Sequence, residues 1–508
     1  MITITNPIQK GFYPDPSICR VGDDYYMVHS TFAYAPGIPV FKSSNLRDWV
    51  QVGHVLEREE QLCLKGAKVS QGIYAPSIRY YNERFYVITT NVSGGGNFYV
   101  TAEKAEGPWS NPVYLKDAPG IDPSLFFENG TCYYVGQRTK EPAAYYGDCE
   151  IWIQELNLKK GKLEGEPKPI FDGSMKHTIW AEGPHLYHKG DYYYLLLAEG
   201  GTGYNHSIAV ARSRSLEGPY ESCPHNPVLT HRHLGHQYPI QNIGHGDLIE
   251  TSCGEWFVVM LGTRPVNGCA ELGRETFLGE VEWEEDWPVV NPQVGNILTK
   301  QDLKAFKESE EASLGKNGDI FWTLPLDMRC VGLRENPSVI PLKVEEGKLY
   351  LPFRSETMDG FGAPSFIGTR LLSRTFLVSV ELEAVLSETE EAGLVYFYDE
   401  NHYIKAVFRN AGNGCEAVVI KKTGTEETEM GKVPVTGEVH TLQLQGENQS
   451  LCILADHKKI SEGVVVKDLC SENAGGFTGC TIGIYASSVH ANSGNRAVFG
   501  TFFLNFID

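Results

Sequence analysis

One hairpin plan recurs five times along the chain, and no other feature limits the fold as tightly. Each copy passes from a short polar turn, often holding proline, into an apolar strand, a turn of Gly, Asn, Asp or Glu, and then an aromatic-rich strand. The copies read YPDPSICRVGDDYYMVHS from Tyr13, YAPSIRYYNERFYVITT from Tyr74, IDPSLFFENGTCYYVGQ from Ile121, AEGPHLYHKGDYYYLLLAEG from Ala181 and GHGDLIETSCGEWFVVMLG from Gly244. Aligned on their turns, they bring Asp15, Ala75, Asp122, Glu182 and Gly246 into one register, at intervals of 60, 47, 60 and 64 residues. Hairpins at such a period suggest propeller blades rather than a solenoid. The stretches NFYVTAEKAEGPW from Asn97 and HSIAVARSRSLEGPY from His206 supply further strands. The expectation is an all-β chain that opens with a five-bladed β-propeller over residues 1–300.

Equivalent positions of successive blades converge on the axis at one end of a propeller. Three of the five here are carboxylates: Asp15, Asp122 and Glu182. Taken singly, each has an ordinary reading, the Asp of P-D-P as a turn residue that bonds its own backbone and Glu182 as a solvated loop charge. Gathered near a narrow axis they would repel, so their shared register argues for chemistry. Glycosidic hydrolysis needs one carboxylic acid to protonate the leaving oxygen and one carboxylate on the other face. The two sit roughly 6.5–9.5 Å apart where water attacks directly, and about 5–5.5 Å apart where the carboxylate attacks. A third carboxylate beside the acid raises its pKa. Assigning the three roles requires geometry.

The turns YPDPS, IDPSLF and WAEGPHLY, in that order and spacing, resemble glycoside hydrolase family 43. The resemblance implies a five-bladed propeller that acts by inversion, as a β-D-xylosidase or an α-L-arabinofuranosidase. It implies Asp15 as general base, Glu182 as general acid, and Asp122 as the group that tunes the acid's pKa and orientation. More loosely, Arg274 in LGRETFLGEVEWEEDWPVV resembles a substrate-binding arginine, with a surface pair to Glu275 as the alternative. Phe32 and Tyr74 resemble aromatic walls of the sugar subsite, with core packing as the alternative, and Thr202 in GGTGYN resembles a polar residue near the site. His245 in NIGHGD resembles a histidine that holds calcium on the propeller axis; since calcium takes oxygen ligands, a hydrogen-bonded histidine is the competing reading. His225, His231, His233 and His236 have no metal spacing and are expected in a solvated loop. A non-catalytic carbohydrate-binding propeller is the alternative from another class; a sialidase is disfavoured, because S-x-D-x-G-x-T-W boxes are missing.

Residues 301–317 read as a charged linker with room for a short helix. Beyond them, segments such as TFLVSVELEAVL, GLVYFYDENHYIKAVFRN and AVFGTFFLNFI predict a β-sandwich over residues 318–508. The resemblance implies a jelly-roll-like domain, a loop of which closes one side of the pocket, with Phe477 in AGGFTG as the candidate contact. A pocket closed in that way implies exo-action on small oligosaccharides. The net charge of −20 argues against nucleic-acid and anionic-membrane partners. Twelve cysteines without a CxxC pair argue against structural zinc and are simplest as reduced thiols. The N-terminus lacks the basic and apolar regions of a signal peptide, and no apolar run reaches the roughly 20 residues of a membrane span. A soluble cytoplasmic protein without an organic cofactor is expected, and the resemblance adds a homo-oligomer.

Overall fold

The computed structural model describes residues 2–304, 306, 318–383, 385–412, 414–489 and 493–507. Alternating and aromatic-rich segments form strands, and among the described residues helix is confined to short turns such as Ser471–Ala474. The five hairpins open five four-stranded antiparallel sheets. Their first strands are Ser17–Val21, Ser77–Tyr81, Ser124–Glu128, Glu182–Lys189 and Gln241–Glu250. Each first strand packs beside that of the next sheet, and the fifth returns to the first, which closes the ring. This is the propeller, and the positions in shared register sit at the start of, or within, its innermost strands.

Each blade is built from one stretch of chain, the first looping out Tyr34–Ala35 to pair with Gly332–Leu333, so none donates a strand to close the ring. The N-terminal segment fastens it instead. Ile2–Thr5 pairs antiparallel with Lys300–Leu303, burying Ile2, Ile4 and Leu303, and Gln9 bridges Thr276 on the fifth blade. The start of the expected linker is therefore a strand, because Leu303 has an apolar partner at the N-terminus; the helix expected there falls on residues 305 and 307–317, outside the described ones.

The C-terminal unit stacks a seven-stranded sheet on a six-stranded one. The inner faces make the sandwich core, and the other face of the six-stranded sheet packs on the propeller: Phe12, Phe32, Tyr34 and Val69 cluster with Val331, Phe397 and Tyr403. A buried Arg334–Glu400 pair locks the junction, with Arg334 donating to the Ala67 carbonyl and Glu400 accepting the Val69 N–H. The sandwich is thus held rigidly against the turns that open the first two blades. Among the described residues, no helix is long and apolar enough to cross a membrane.

Candidate active site

The P-D-P and I-D-P turns place Asp15 and Asp122 in the left-handed region, at φ 52° and 54°. Asp tolerates that conformation better than most side chains. The two share a blade position and a backbone state, which turns both carboxylates toward the axis. Glu182 begins the inner strand of the fourth blade, where a register shift between Glu182 and His185 bends the ladder. Such a bulge re-aims a side chain. Gly183 takes the positive φ of 58° there, and its N–H donates to Asp122. A side chain at position 183 would collide with the His245 ring, so the E-G pair seats that imidazole beside the acids.

One small cavity, of about 90 Å³, gathers Asp15, Asp122, Glu182, Phe32, Tyr74, Thr202, His245, Arg274 and Phe477. Every residue expected at the site therefore lines it. Arg274 donates to Asp15 at 2.8 and 3.4 Å and to Thr202 Oγ1 at 3.2 Å, and Ser30 Oγ donates to Asp15 at 2.5 Å. The alternative pairing with Glu275 fails, because Arg274, in the bend just before the strand Glu275–Glu284, turns to Asp15. Glu275 accepts from Arg264 instead, at 2.7 and 2.8 Å. Arg274 also donates to the Phe477 carbonyl at 3.3 Å, and the Phe477 N–H donates to Ser70 Oγ at 2.9 Å. The sandwich thus contributes a wall to the propeller's pocket. Phe32, Tyr74 and Phe477 form an aromatic corner, with ring centroids 5.3–6.3 Å apart. Phe32 is fully buried and also belongs to the shared core, so both readings of that residue hold.

The electrostatics separate the three carboxylates. Glu182 is raised well above its ordinary range by burial first, then by Asp122 and Asp15, with Arg274 opposing. Its side chain keeps some exposure to the pocket, and burial and the two neighbouring carboxylates favour its protonated form. Asp122 is pushed up to about 6, by burial and by Asp15, against the opposing charges of His245 and Arg274. Asp15 is held by an arginine and a hydroxyl, donors that match a carboxylate. One protonated acid and one fixed carboxylate in a single pocket are what glycosidic hydrolysis needs.

A second polar layer lies directly beneath. Asp247, fully buried in the fifth blade, accepts from Ser17 Oγ, the Ile18 N–H, Arg79 and Tyr187 at 2.5–3.2 Å. Arg79 also bonds His185 Nδ1 at 2.8 Å. Blades one, two, four and five are thereby tied together within a few residues of the catalytic positions. Among the expected loop histidines, His231 is corrected. It is buried, with Nδ1 bonded to the Ile240 carbonyl and Nε2 accepting the Ile297 N–H, because its ring ties the loop to the end of the fifth blade. His206, which no motif marks, lines the cavity as well.

The residues around His245 do not form a calcium cage. Asp122 lies 4.0 Å from its Nδ1, and among the described residues no group of three or more His, Cys, Asp or Glu is arranged to hold a metal. An ion there would take most of its six to eight oxygens from water.

Residues 4–288 match the model of the family described as glycosyl hydrolases family 43. The chain belongs to that family. Residues 319–505 of this family 43 enzyme match the beta xylosidase C-terminal concanavalin A-like domain, in keeping with its two-sheet sandwich. Over 526 aligned residues the enzyme is 44% identical to a xylosidase/arabinosidase of Butyrivibrio fibrisolvens, with 99% of each chain covered. It is 37% identical to a non-reducing end alpha-L-arabinofuranosidase of Bacteroides ovatus, covering 100% of this chain and 95% of that one. Among solved structures it resembles a xylan beta-1,4-xylosidase from Bacillus halodurans, with a TM-score of 0.90, 32% identity and coverage of 99% and 100% of the two chains.

Proposed function

We propose that this family 43 glycoside hydrolase releases pentose, xylose and also arabinose, from the non-reducing ends of short xylo-oligosaccharides, with inversion. In this reading Glu182 protonates the leaving oxygen, Asp15 takes a proton from the attacking water on the opposite face, and Asp122 keeps the acid protonated. The observation that carries it is the division of charge in one pocket: Glu182 held up by burial and two neighbouring carboxylates, Asp15 held by Arg274. Phe477 narrows the pocket from the sandwich side, which suits one terminal ring rather than a chain running through. The names of the relatives, xylosidase/arabinosidase and arabinofuranosidase, support a pentose.

Steady-state kcat/KM on 4-nitrophenyl β-D-xylopyranoside and α-L-arabinofuranoside tests the substrate class. Turnover of the xyloside, with the arabinoside slower, is expected. An enzyme that hydrolyses only the arabinoside is a dedicated arabinofuranosidase, and one that binds oligosaccharides but turns over neither refutes catalysis. Calcium enters only as a water-held ion beside His245: loss of activity on chelation, restored by calcium, supports it, and full activity in chelator removes it.

A further inference from the structure

His206 immediately precedes the third strand of the fourth blade, Ser207–Ser213, and is 1% exposed. Its ring lies flat on the backbone of Gly244, where any side chain would meet it at 2.4 Å, and it lines the catalytic cavity with Asp15, Thr202 and Arg274. Nδ1 sits 3.0 Å from the Asn242 carbonyl, a pure acceptor, so Nδ1 carries the proton. Nε2 is then a bare lone pair, and it is buried with no hydrogen-bond partner among the described residues. Burial pushes the imidazole down to about 3, so the ring stays neutral through the working pH range.

A buried acceptor without a donor costs free energy comparable to a lost hydrogen bond, and a native site that keeps one needs a reason. Neither the Arg274 guanidinium nor the ring's own Nδ1 proton supplies the donor. Arg274 is committed to Asp15, Thr202 and Phe477, and the His206 Nδ1 proton is spent on Asn242. We propose that His206 is a specificity-determining residue whose Nε2 accepts the proton of a hydroxyl on the terminal pentose and so fixes that ring against the carboxylates. The proposal rests on the pentosidase reading and names one recognition contact within it. A neutral acceptor of this kind favours a hydroxyl over a hydrogen, because the deoxy sugar would leave Nε2 unpaired in the closed complex.

The test compares wild type with His206→Phe and His206→Asn on 4-nitrophenyl β-D-xylopyranoside and its 2-, 3- and 4-deoxy analogues. The Asn variant can keep the donation to the Asn242 carbonyl while lacking the Nε2 acceptor. Wild type is expected to lose at least about tenfold in kcat/KM on one of the analogues. Both variants should show a similar loss on the parent substrate and no further loss on that analogue. The proposal is overturned if His206→Asn matches wild type on the parent. It is equally overturned if the variants retain every deoxy penalty of wild type, or if wild type itself shows none, a result that needs no folded variant. Failure of wild type to hydrolyse the parent would count against the pentosidase reading instead.

Discussion

The layer beneath the carboxylates makes a quantitative prediction about stability. Asp247 is fully buried, and although burial alone would push its carboxyl up, Arg79, His185 and the Arg79 and Ser17 hydrogen bonds hold it down to about 2. A depressed carboxyl contributes stability that is fully present above the unfolded pKa and disappears as pH falls through the folded value. From an ordinary value of 3.8 to about 2, the contribution is about 2 kcal/mol at neutral pH, and about 1 kcal/mol of it is gone by pH 3. Replacing Asp247 with Asn leaves Arg79 buried without its counter-charge, which costs about 3–5 kcal/mol at pH 7. Seven of the eight tryptophans precede residue 300, so intrinsic fluorescence during urea unfolding follows the propeller. The difference between wild type and Asp247→Asn should shrink by about 1 kcal/mol between pH 7 and pH 3, since titrations elsewhere are common to both proteins. A difference that stays constant over that range would refute the ionised Arg79–Asp247 clasp.

Asp122→Asn removes a negative charge that holds the Glu182 proton in place. The high-pH limb of the kcat/KM profile should therefore move to lower pH; an unmoved limb would separate Asp122 from the acid. Glu182→Ala should cost roughly 10²–10⁴-fold on xylobiose, whose leaving group needs a proton. The same variant should lose far less on a nitrophenyl pentoside, whose leaving group does not, and equal losses on both would remove Glu182 as general acid.

The carboxylates were legible because the hairpin repeat carries them: a shared register along the chain becomes a shared height on the axis. Arg274 was legible only by resemblance, since its neighbour Glu275 offers a plausible partner until the fold gives Glu275 to Arg264 and Arg274 to Asp15. His206 gave no signal. It immediately precedes the third strand of its blade, outside the repeated hairpin, and its role follows from Asn242 and Gly244, at the start of the strand Gln241–Glu250, lying against it. His231 misled for a similar reason, since its polar surroundings in sequence say nothing of the two backbone partners that bury it. In the sandwich, Glu426–Val435 was not read as a strand. Its residues are mostly exposed and four of the ten are charged, because it edges the six-stranded sheet, where charge discourages further pairing.

The account stands most directly on the anomer first released. Proton NMR during hydrolysis of 4-nitrophenyl β-D-xylopyranoside, whose leaving group is not a sugar, should show α-xylose appearing before mutarotation, as water driven by Asp15 enters opposite the oxygen that Glu182 protonates. Initial release of β-xylose would mean that a carboxylate attacks the sugar itself, and would contradict the roles given to Asp15 and Glu182.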